Sequence, residues 1–388
     1  MMDTTDSTHE DKSTAGLYEG DNPKFEVFKY LTKGSPAPFW LFSGVCAAWG
    51  LHKDEVDLSL ITISENATFL LKVKDEPIGV VRVSEPDYVG GPKAIASELA
   101  WINMLHELDG VNLVTPVPTV MGPYVAEIHQ NADIKWSVIS TKFIEGTVLE
   151  DMADPSSCYR VIGNWSARFH KSARTWKEPY GFQRFSWDLL DILGPHPRWG
   201  MWEHAAGLTP AESRLLYKAM WEALAYVAKQ PRNRQTWGLV HADLRPSNII
   251  RRPDGQFVVL DFDDCGYSWY LWDYAASLSF IEQEPYAPHL AYEWVEGYRE
   301  SGELSDSDFE MMSALSMLRR LQMLGWTTRH RADALPDGLY AAQKPGSLMC
   351  AERYLKDHNW LLEEAFASRP EIQSEPVDSR TMEVVPHQ

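Results

Sequence analysis

The stretch Gly238-Leu-Val-His-Ala-Asp-Leu-Arg-Pro-Ser-Asn-Ile-Ile-Arg251 carries a carboxylate at Asp243 and an amide at Asn248. Phe257-Val-Val-Leu-Asp-Phe-Asp-Asp264 follows with carboxylates at Asp261, Asp263 and Asp264. Two short apolar runs flank Arg252-Pro253-Asp254-Gly255, a strong hairpin signal. Centring that turn between Asp254 and Gly255 pairs position 248 with position 261. The Asn248 amide and the Asp261 carboxylate then face each other across two strands. Such oxygens suit Mg²⁺, which takes few protein ligands when phosphates and water supply the others. Asp243, on the loop before, stays clear of the metal and is placed to orient or deprotonate a hydroxyl. The chemistry implied is phosphoryl transfer.

Elements on both sides must hold these groups. Leu58–Ser64, Thr68–Val73 and Ile78–Val83 read as strands, with a turn at Lys74-Asp-Glu-Pro77 and the polar connection Ser64-Glu-Asn-Ala67. Pro92–Leu108 reads as a helix whose apolar stripe is Ile95, Leu99, Ile102 and Leu105. Glu98 falls inside that stripe, and an inward carboxylate needs a cation. Arg82 is the nearest candidate in sequence, with Lys72 and Lys74 as alternatives. Ala126–Ile128 and Trp136–Ile144 supply two more strands, and Glu145-Gly146 closes the last. Beyond it, helices are expected over 157–173, 212–228, 270–282, 287–301, 306–326 and 351–367. The domain expectation is a polar tail over 1–20, a β-rich lobe over 21–146, an α-rich lobe over 147–367 and a second tail over 368–388.

Composition sets limits on partners. The 388 residues leave room for two lobes with a sizeable core. A formal net charge of -19 disfavours nucleic acid and anionic membrane surfaces, and favours a cationic small molecule. No apolar run reaches the length of a membrane span. The four cysteines, Cys46, Cys158, Cys265 and Cys350, show no paired spacing, so neither a disulfide framework nor a zinc site is expected. Without an apolar core in the first residues, a reducing, cytoplasmic setting is the default. The 16 Trp residues serve packing for the most part.

His241-Ala-Asp-Leu-Arg-Pro-Ser-Asn248, followed by Asp261-Phe-Asp263, resembles the signature of the aminoglycoside phosphotransferase and choline kinase superfamily, over roughly residues 40 to 330. Ser97-Glu-Leu-Ala-Trp101, Gly181–Asp188 and Leu193–Trp199 are similar to bacterial homoserine-kinase-like phosphotransferases. The resemblance implies an α+β, protein-kinase-like two-lobe fold, with a small antiparallel sheet and one helix ahead of a larger, mostly helical lobe. It also implies a small-molecule kinase using ATP and Mg²⁺. Asp243 would be the catalytic base or hydroxyl-orienting residue, and Asn248 and Asp261 the metal ligands. His241 would brace the loop, with Arg245 and Asp263 in support. Ser64, Asn66 and Thr68 would lie over the phosphates, Arg82 and Glu98 would hold them, and Lys142, Phe143 and Ile144 would form the hinge at adenine. The family usually carries Lys where this chain has Arg82, and many members carry His where it has Arg245. Arg keeps the charge but offers a fork of donors rather than a point.

The acceptor is less legible. Trp187, Asp188, Asp191, Trp199, Trp202, Trp326 and His330 are candidates for the walls of its pocket, because Trp encloses cations and Asp pairs with amines. Packing or surface exposure accounts for each of them equally well. An amine-bearing alcohol is expected: a hydroxylated amino acid, an amino alcohol or an aminoglycoside-like antibiotic. Three rivals remain at this stage. Leu260-Asp-Phe-Asp-Asp-Cys265 resembles the Asp-x-Asp opening of aspartyl-phosphate hydrolases, although it comes late in the chain. Arg82 leaves room for a nucleotide-binding pseudokinase or interaction module. A protein Ser/Thr kinase is the third.

Overall fold

The computed structural model describes residues 23–64, 66–86, 88, 90–151, 156–329 and 337–367. The His330 position and both expected tails lie outside the described residues. The chain opens with helix α1 (Phe39–Trp49) and the strands β1 (Val56–Ile63), β2 (Asn66–Val73) and β3 (Glu76–Ser84). Helix α2 (Gly91–Leu105) follows, then β4 (Pro116–Val117), β5 (Ala126–His129) and β6 (Lys135–Lys142). These strands form one six-stranded sheet in the order β1-β2-β3-β6-β4, with β5 also on β6, and every pairing is antiparallel. Lys74 and Asp75 both have positive φ, 53° and 65°, which suits the two-residue turn between β2 and β3. The sheet packs its own core, in which Phe28, Phe69 and Trp136 meet the apolar face of α1.

A short strand, β7 (Thr147–Val148), leads into the helical lobe. Gly146 is required at the junction, because a Cβ there would meet the Arg251 carbonyl oxygen at 2.4 Å. Helices α3 (Ser156–Thr175), α4 (Leu189–Leu193) and α5 (Pro210–Val227) precede strands β8 (Trp237–Val240), β9 (Ile249–Arg251), β10 (Phe257–Val259) and β11 (Gly266–Trp269). The chain ends in α6 (Trp272–Ser277), α7 (Ala287–Arg299), α8 (Asp306–Trp326), α9 (Asp337–Lys356) and α10 (Glu363–Ala367). Thr209 and Glu212 form a capping box on α5, and Ser305 and Asp308 form one on α8. No described helix is long and apolar enough to cross a membrane. All four cysteines are buried, and none of them forms a disulfide among the described residues.

Two helix expectations change. The run expected over 270–282 is helical only as α6, because Phe280 takes a left-handed backbone (φ 75°) that no helix accommodates. The last helix begins well before 351 and carries Pro345 in its interior, then breaks before α10. Proline is a poor guide there: it removes one helical hydrogen bond, which packing of α9 on α5 and α8 offsets. Helix α1 was not anticipated, since its residues are apolar on most sides and carry no helical period. The stripe of α2 joins the core of the helical lobe, where Trp101 meets Phe169 and Phe262 at ring distances of 6.2 and 5.6 Å. Helix α2 thereby ties the sheet to the loop that bears Asp261 and Asp263.

Candidate active site

The hairpin β9–β10 registers one residue away from the expected pairing. Arg251 pairs with Phe257, Ile250 with Val258 and Ile249 with Val259, and the Leu260 N–H donates to the Asn248 carbonyl at 2.9 Å. Position 248 therefore faces 260, not 261. The cause is the turn. Its loop has three residues, with Gly255 in the left-handed region (φ 85°), instead of the two residues assumed from Asp-Gly. A one-residue slip would turn a side chain to the other face. Asp261 leaves the strand with φ 52°, so its orientation is set by that bend and not by cross-strand pairing.

Asp243 comes from the loop between β8 and β9. Asp273, buried at the start of α6, organises this loop. Its carboxylate accepts from the His241 N–H at 3.2 Å, from the Ala242 N–H at 2.7 Å and from His170 Nε2 at 3.0 Å. Ala242 is left-handed (φ 66°), a conformation held by that short bond. His241 Nδ1 accepts from the Asp243 N–H at 3.3 Å, so Nε2 carries the proton and donates to the Leu260 carbonyl at 3.1 Å. His241 thus bonds the backbone beside Asp261, and burial lowers its pKa despite the nearby Asp273 and Asp243.

The Asp243 carboxylate is densely solvated by protein donors. Arg245 Nε lies 3.2 and 3.3 Å from its two oxygens, Asn248 Nδ2 donates to Oδ2 at 2.7 Å, and Arg319 Nη2 donates to Oδ1 at 3.1 Å. Burial alone would raise its pKa, but Arg245, Arg319 and His241 outweigh that and hold it below the usual carboxylate value. Asn248 Nδ2 also donates to the Asp243 carbonyl at 2.9 Å. With the amide nitrogen tied twice, its orientation is fixed and Oδ1 is left as an acceptor.

Asp261 has the opposite character. The residue is exposed, but the protein packed around its carboxylate, with the negative charges of Asp263 and Asp243, pushes its pKa to about 7. Arg82 opposes that rise. No group of three or more His, Cys, Asp or Glu among the described residues could hold a metal ion alone. An oriented amide oxygen at Asn248 and a crowded carboxylate one residue past its backbone partner Leu260 are the kind of oxygen donors that suit a divalent cation sharing its ligands with a polyphosphate. Asp263 is held differently. It accepts from Asn66 Nδ2 at 2.8 Å and from the Tyr88 hydroxyl at 2.7 Å, with Arg82 Nη2 3.6 Å away. Burial opposes its ionisation, but Arg82, Arg184, Tyr88 and Asn66 outweigh burial and lower its pKa.

Of the cations considered for Glu98, Arg82 is the partner: Nη1 and Nη2 donate to its two oxygens, both at 2.8 Å. Lys74 pairs with Glu55 instead, at 3.2 Å. Thr68 pairs with Arg82 across β2 and β3, Ser64 ends the turn with its N–H on the Asn66 carbonyl at 3.0 Å, and Asn66 reaches the helical lobe through Asp263. At the junction after β6, the Lys142 N–H goes to the Thr115 carbonyl and the Phe143 N–H to the Ile78 carbonyl, while Ile144 packs against the large core.

The candidate acceptor residues divide. Trp187 is wholly buried, with Nε1 donating to the Asp264 carbonyl at 2.7 Å. Trp202 is buried against Tyr217, and Asp188 caps α4 by accepting from the Leu190 and Asp191 N–H groups. Asp191 pairs with Arg198 at 3.1 Å. Packing and capping account for these four. Trp199 and Trp326 keep a little exposure and stand nearer the chemistry, Trp199 under Arg319 and Trp326 on Phe280. Sequence reasoning missed Arg184, which donates to the Asp263, Cys265 and Ala94 carbonyls, and Arg319. The available signal for Arg319 was a pair of arginines inside the largely apolar run Met317–Leu324.

Residues 60–342 match the phosphotransferase enzyme family. The chain belongs to that family. It is a small-molecule kinase with a protein-kinase-like fold, which removes the hydrolase reading. The structure of the microcompartment-associated aminopropanol kinase is similar to it with a TM-score of 0.73 and 31% identity, over 82% of this chain and 98% of that one. Amicoumacin kinase hAmiN, solved with AMP-PNP, Ca²⁺ and Ami, has a TM-score of 0.64 and 17% identity, over 80% of this chain and 92% of that one. Amicoumacin kinase of Bacillus subtilis (strain 168) is 20% identical over 294 residues, 72% of this chain and 81% of that relative.

Proposed function

We propose that this kinase uses ATP and Mg²⁺ to phosphorylate the hydroxyl of a small amine-bearing alcohol, with an amino alcohol first among the candidates. The observation that carries the reading is that Asn248, its amide nitrogen locked on Asp243, accepts at its carbonyl from Leu260, the residue just before the crowded Asp261. The 31% identity with an aminopropanol kinase and the net charge of -19 favour an amine on the acceptor. Residues 21–146 would form the nucleotide lobe and 147–367 the acceptor lobe. Ser64, Asn66, Thr68, Arg82 and Glu98 would surround the phosphates, and the 142–144 backbone would meet adenine.

The acceptor oxygen would bond to the γ-phosphorus as the bond to the β,γ-bridging oxygen breaks. ADP leaves with that electron pair, and the hydroxyl proton passes to Asp243 and on to solvent. Because Asp243 is a weakened base, its main work is to orient the hydroxyl, which suits a loose transition state in which the proton moves late. Mg²⁺ held by Asn248 and Asp261 would supply neutralisation of charge on the phosphoryl oxygens. Arg245 brings a second positive charge to the same place.

A screen of 1-amino-2-propanol, ethanolamine, serine, threonine, homoserine and spectinomycin with Mg-ATP tests the reading. ADP release above the rate with water is expected for at least one amino alcohol. Failure of every amine to stimulate release, with simple diols active instead, would remove the amine from the proposal.

A further inference from the structure

Helix α8 is buried along nearly its whole length, and it carries two adjacent arginines. Arg320 is accounted for by packing: it pairs with Glu282 at 2.7 Å and bonds Gln283, Ser347 and the Gln343 carbonyl, fastening α8 to α9. Arg319 turns to the active site. Its Nε donates to Ser279 Oγ at 2.9 Å, Nη1 to Gln322 Oε1 at 2.9 Å and Nη2 to Asp243 Oδ1 at 3.1 Å. The rings of Trp199 and Trp272 flank it at 4.8 and 5.6 Å. Only 1% of its surface is exposed, and Asp243 is its one carboxylate within ion-pair distance among the described residues. A buried cation needs such a partner, so the pair is built in.

The two arginines on Asp243 differ in freedom. Arg245 lies two residues along the same loop, is partly exposed, makes the longest contacts to the carboxylate and stands 3.9 Å from the exposed Glu150. Arg319 projects from a rigid helix and has no exposed face. A carboxylate offers about four lone-pair sites. If Arg245 yields to the acceptor, Arg319 still holds Oδ1 and Asn248 still holds Oδ2, so the plane stays pinned at both ends. The segment supporting Arg319 is itself constrained: Ser279 precedes Phe280, whose left-handed backbone sets its ring 5.5 Å from the Arg245 guanidinium. A bulky residue keeps that conformation only where its surroundings over-determine it.

We propose that Arg319 is a positioning residue for the reaction, fixing the Asp243 carboxylate so that the site vacated by Arg245 receives the acceptor hydroxyl. This rests on the role proposed above for Asp243, so Asp243→Asn accompanies every measurement. The assay is ADP release from Mg-ATP with 1-amino-2-propanol, alongside AMP-PNP binding by calorimetry and thermal unfolding. Arg319→Met, which fills the same space, is expected to lower kcat by about 100-fold, as a misplaced group does, with AMP-PNP affinity and acceptor KM within about threefold. Arg319→Lys keeps the buried charge without the fork and should show the same split. Added guanidinium should restore kcat of Arg319→Ala by about tenfold or more, and leave Asp243→Asn inactive. Guanidinium that restores the thermal midpoint without turnover would make Arg319 merely structural. Substitutions at Arg319 that leave kcat within about threefold, with Asp243→Asn inactive, would overturn the inference and leave the proposed function standing. Turnover retained in Asp243→Asn, or no turnover by wild type with any amino alcohol, would overturn both.

Discussion

Replacing Asp273 by Asn tests whether one buried carboxylate sets the catalytic loop. Its oxygens accept three hydrogen bonds, from the His241 and Ala242 N–H groups and from His170 Nε2. An amide has one oxygen. In the best arrangement that oxygen keeps Ala242, the amide nitrogen donates to a His170 of the other tautomer, and the His241 N–H is orphaned. A buried unsatisfied N–H costs about 1–3 kcal/mol, and losing charge assistance at Ala242 adds about 1 kcal/mol. The net is a loss of about 2–4 kcal/mol, reduced somewhat because an amide is cheaper to bury than a carboxylate. Ala242 would be freed from its left-handed backbone, and Asp243 would shift with it; a displacement near 1 Å costs about 100-fold in turnover. Urea denaturation gives the stability, and steady-state ADP release at a temperature where the variant is folded gives kcat. A variant within about 0.5 kcal/mol of wild type, or one with unchanged kcat, would refute the reasoning.

Other substitutions test separate parts. Arg82→Met removes both hydrogen bonds to the buried Glu98, leaves only Arg184 Nη1 3.9 Å away as a cation and should cost about 3 kcal/mol, whereas Arg82→Lys loses one of two parallel bonds and should cost about 1 kcal/mol; urea melts distinguish them. Ala242→Gly removes the left-handed penalty and should raise stability by about 1 kcal/mol without changing kcat, by the same melts. Acid should weaken the fold. Burial lowers the pKa of His170 and His241, so below about 6.5 the unfolded chain binds protons that the folded one does not, and each histidine contributes a slope of about 1.4 kcal/mol per pH unit until its folded pKa is reached. Asp261, raised to about 7, has the opposite sign, binding a proton in the folded state alone between the ordinary Asp value and 7, but its exposure weakens the effect. Denaturation at pH 7.5, 6.5 and 5.5 should therefore show falling stability on acidification, less steep in His170→Gln.

The sequence was most informative where a local pattern and its purpose coincide. Residues 306–326 carry recurring apolar positions and no proline, and α8 has those bounds. Glu98 was recognisable as inward because the stripe on either side of it left no other face. Asp243, Asn248 and Asp261 were singled out by residue type and spacing, and the loop sets the Asn248 amide on Asp243 instead of opposite Asp261. What failed was geometry fixed by a single backbone angle. The left-handed Gly255 changes the hairpin by one residue, and left-handed Asp261 redirects its side chain. Arg184 and Arg319 were hidden for another reason. Their partners lie far along the chain, Asp263 and Cys265 for the first and Asp243 for the second, and no periodicity reports such a pairing. The acceptor walls suffered likewise, since an aromatic residue reads the same whether it fills a core, as Trp187 does, or lines a cleft.

The central claim is transfer of phosphate from ATP to an acceptor hydroxyl through Asp243. ³¹P NMR of wild type and Asp243→Asn, each with Mg-ATP and 1-amino-2-propanol, tests it most directly. Wild type should produce a phosphomonoester resonance in step with ADP, abolished by EDTA, and Asp243→Asn should produce neither. Inorganic phosphate as the sole product, or the same monoester rate in both proteins, would contradict the account.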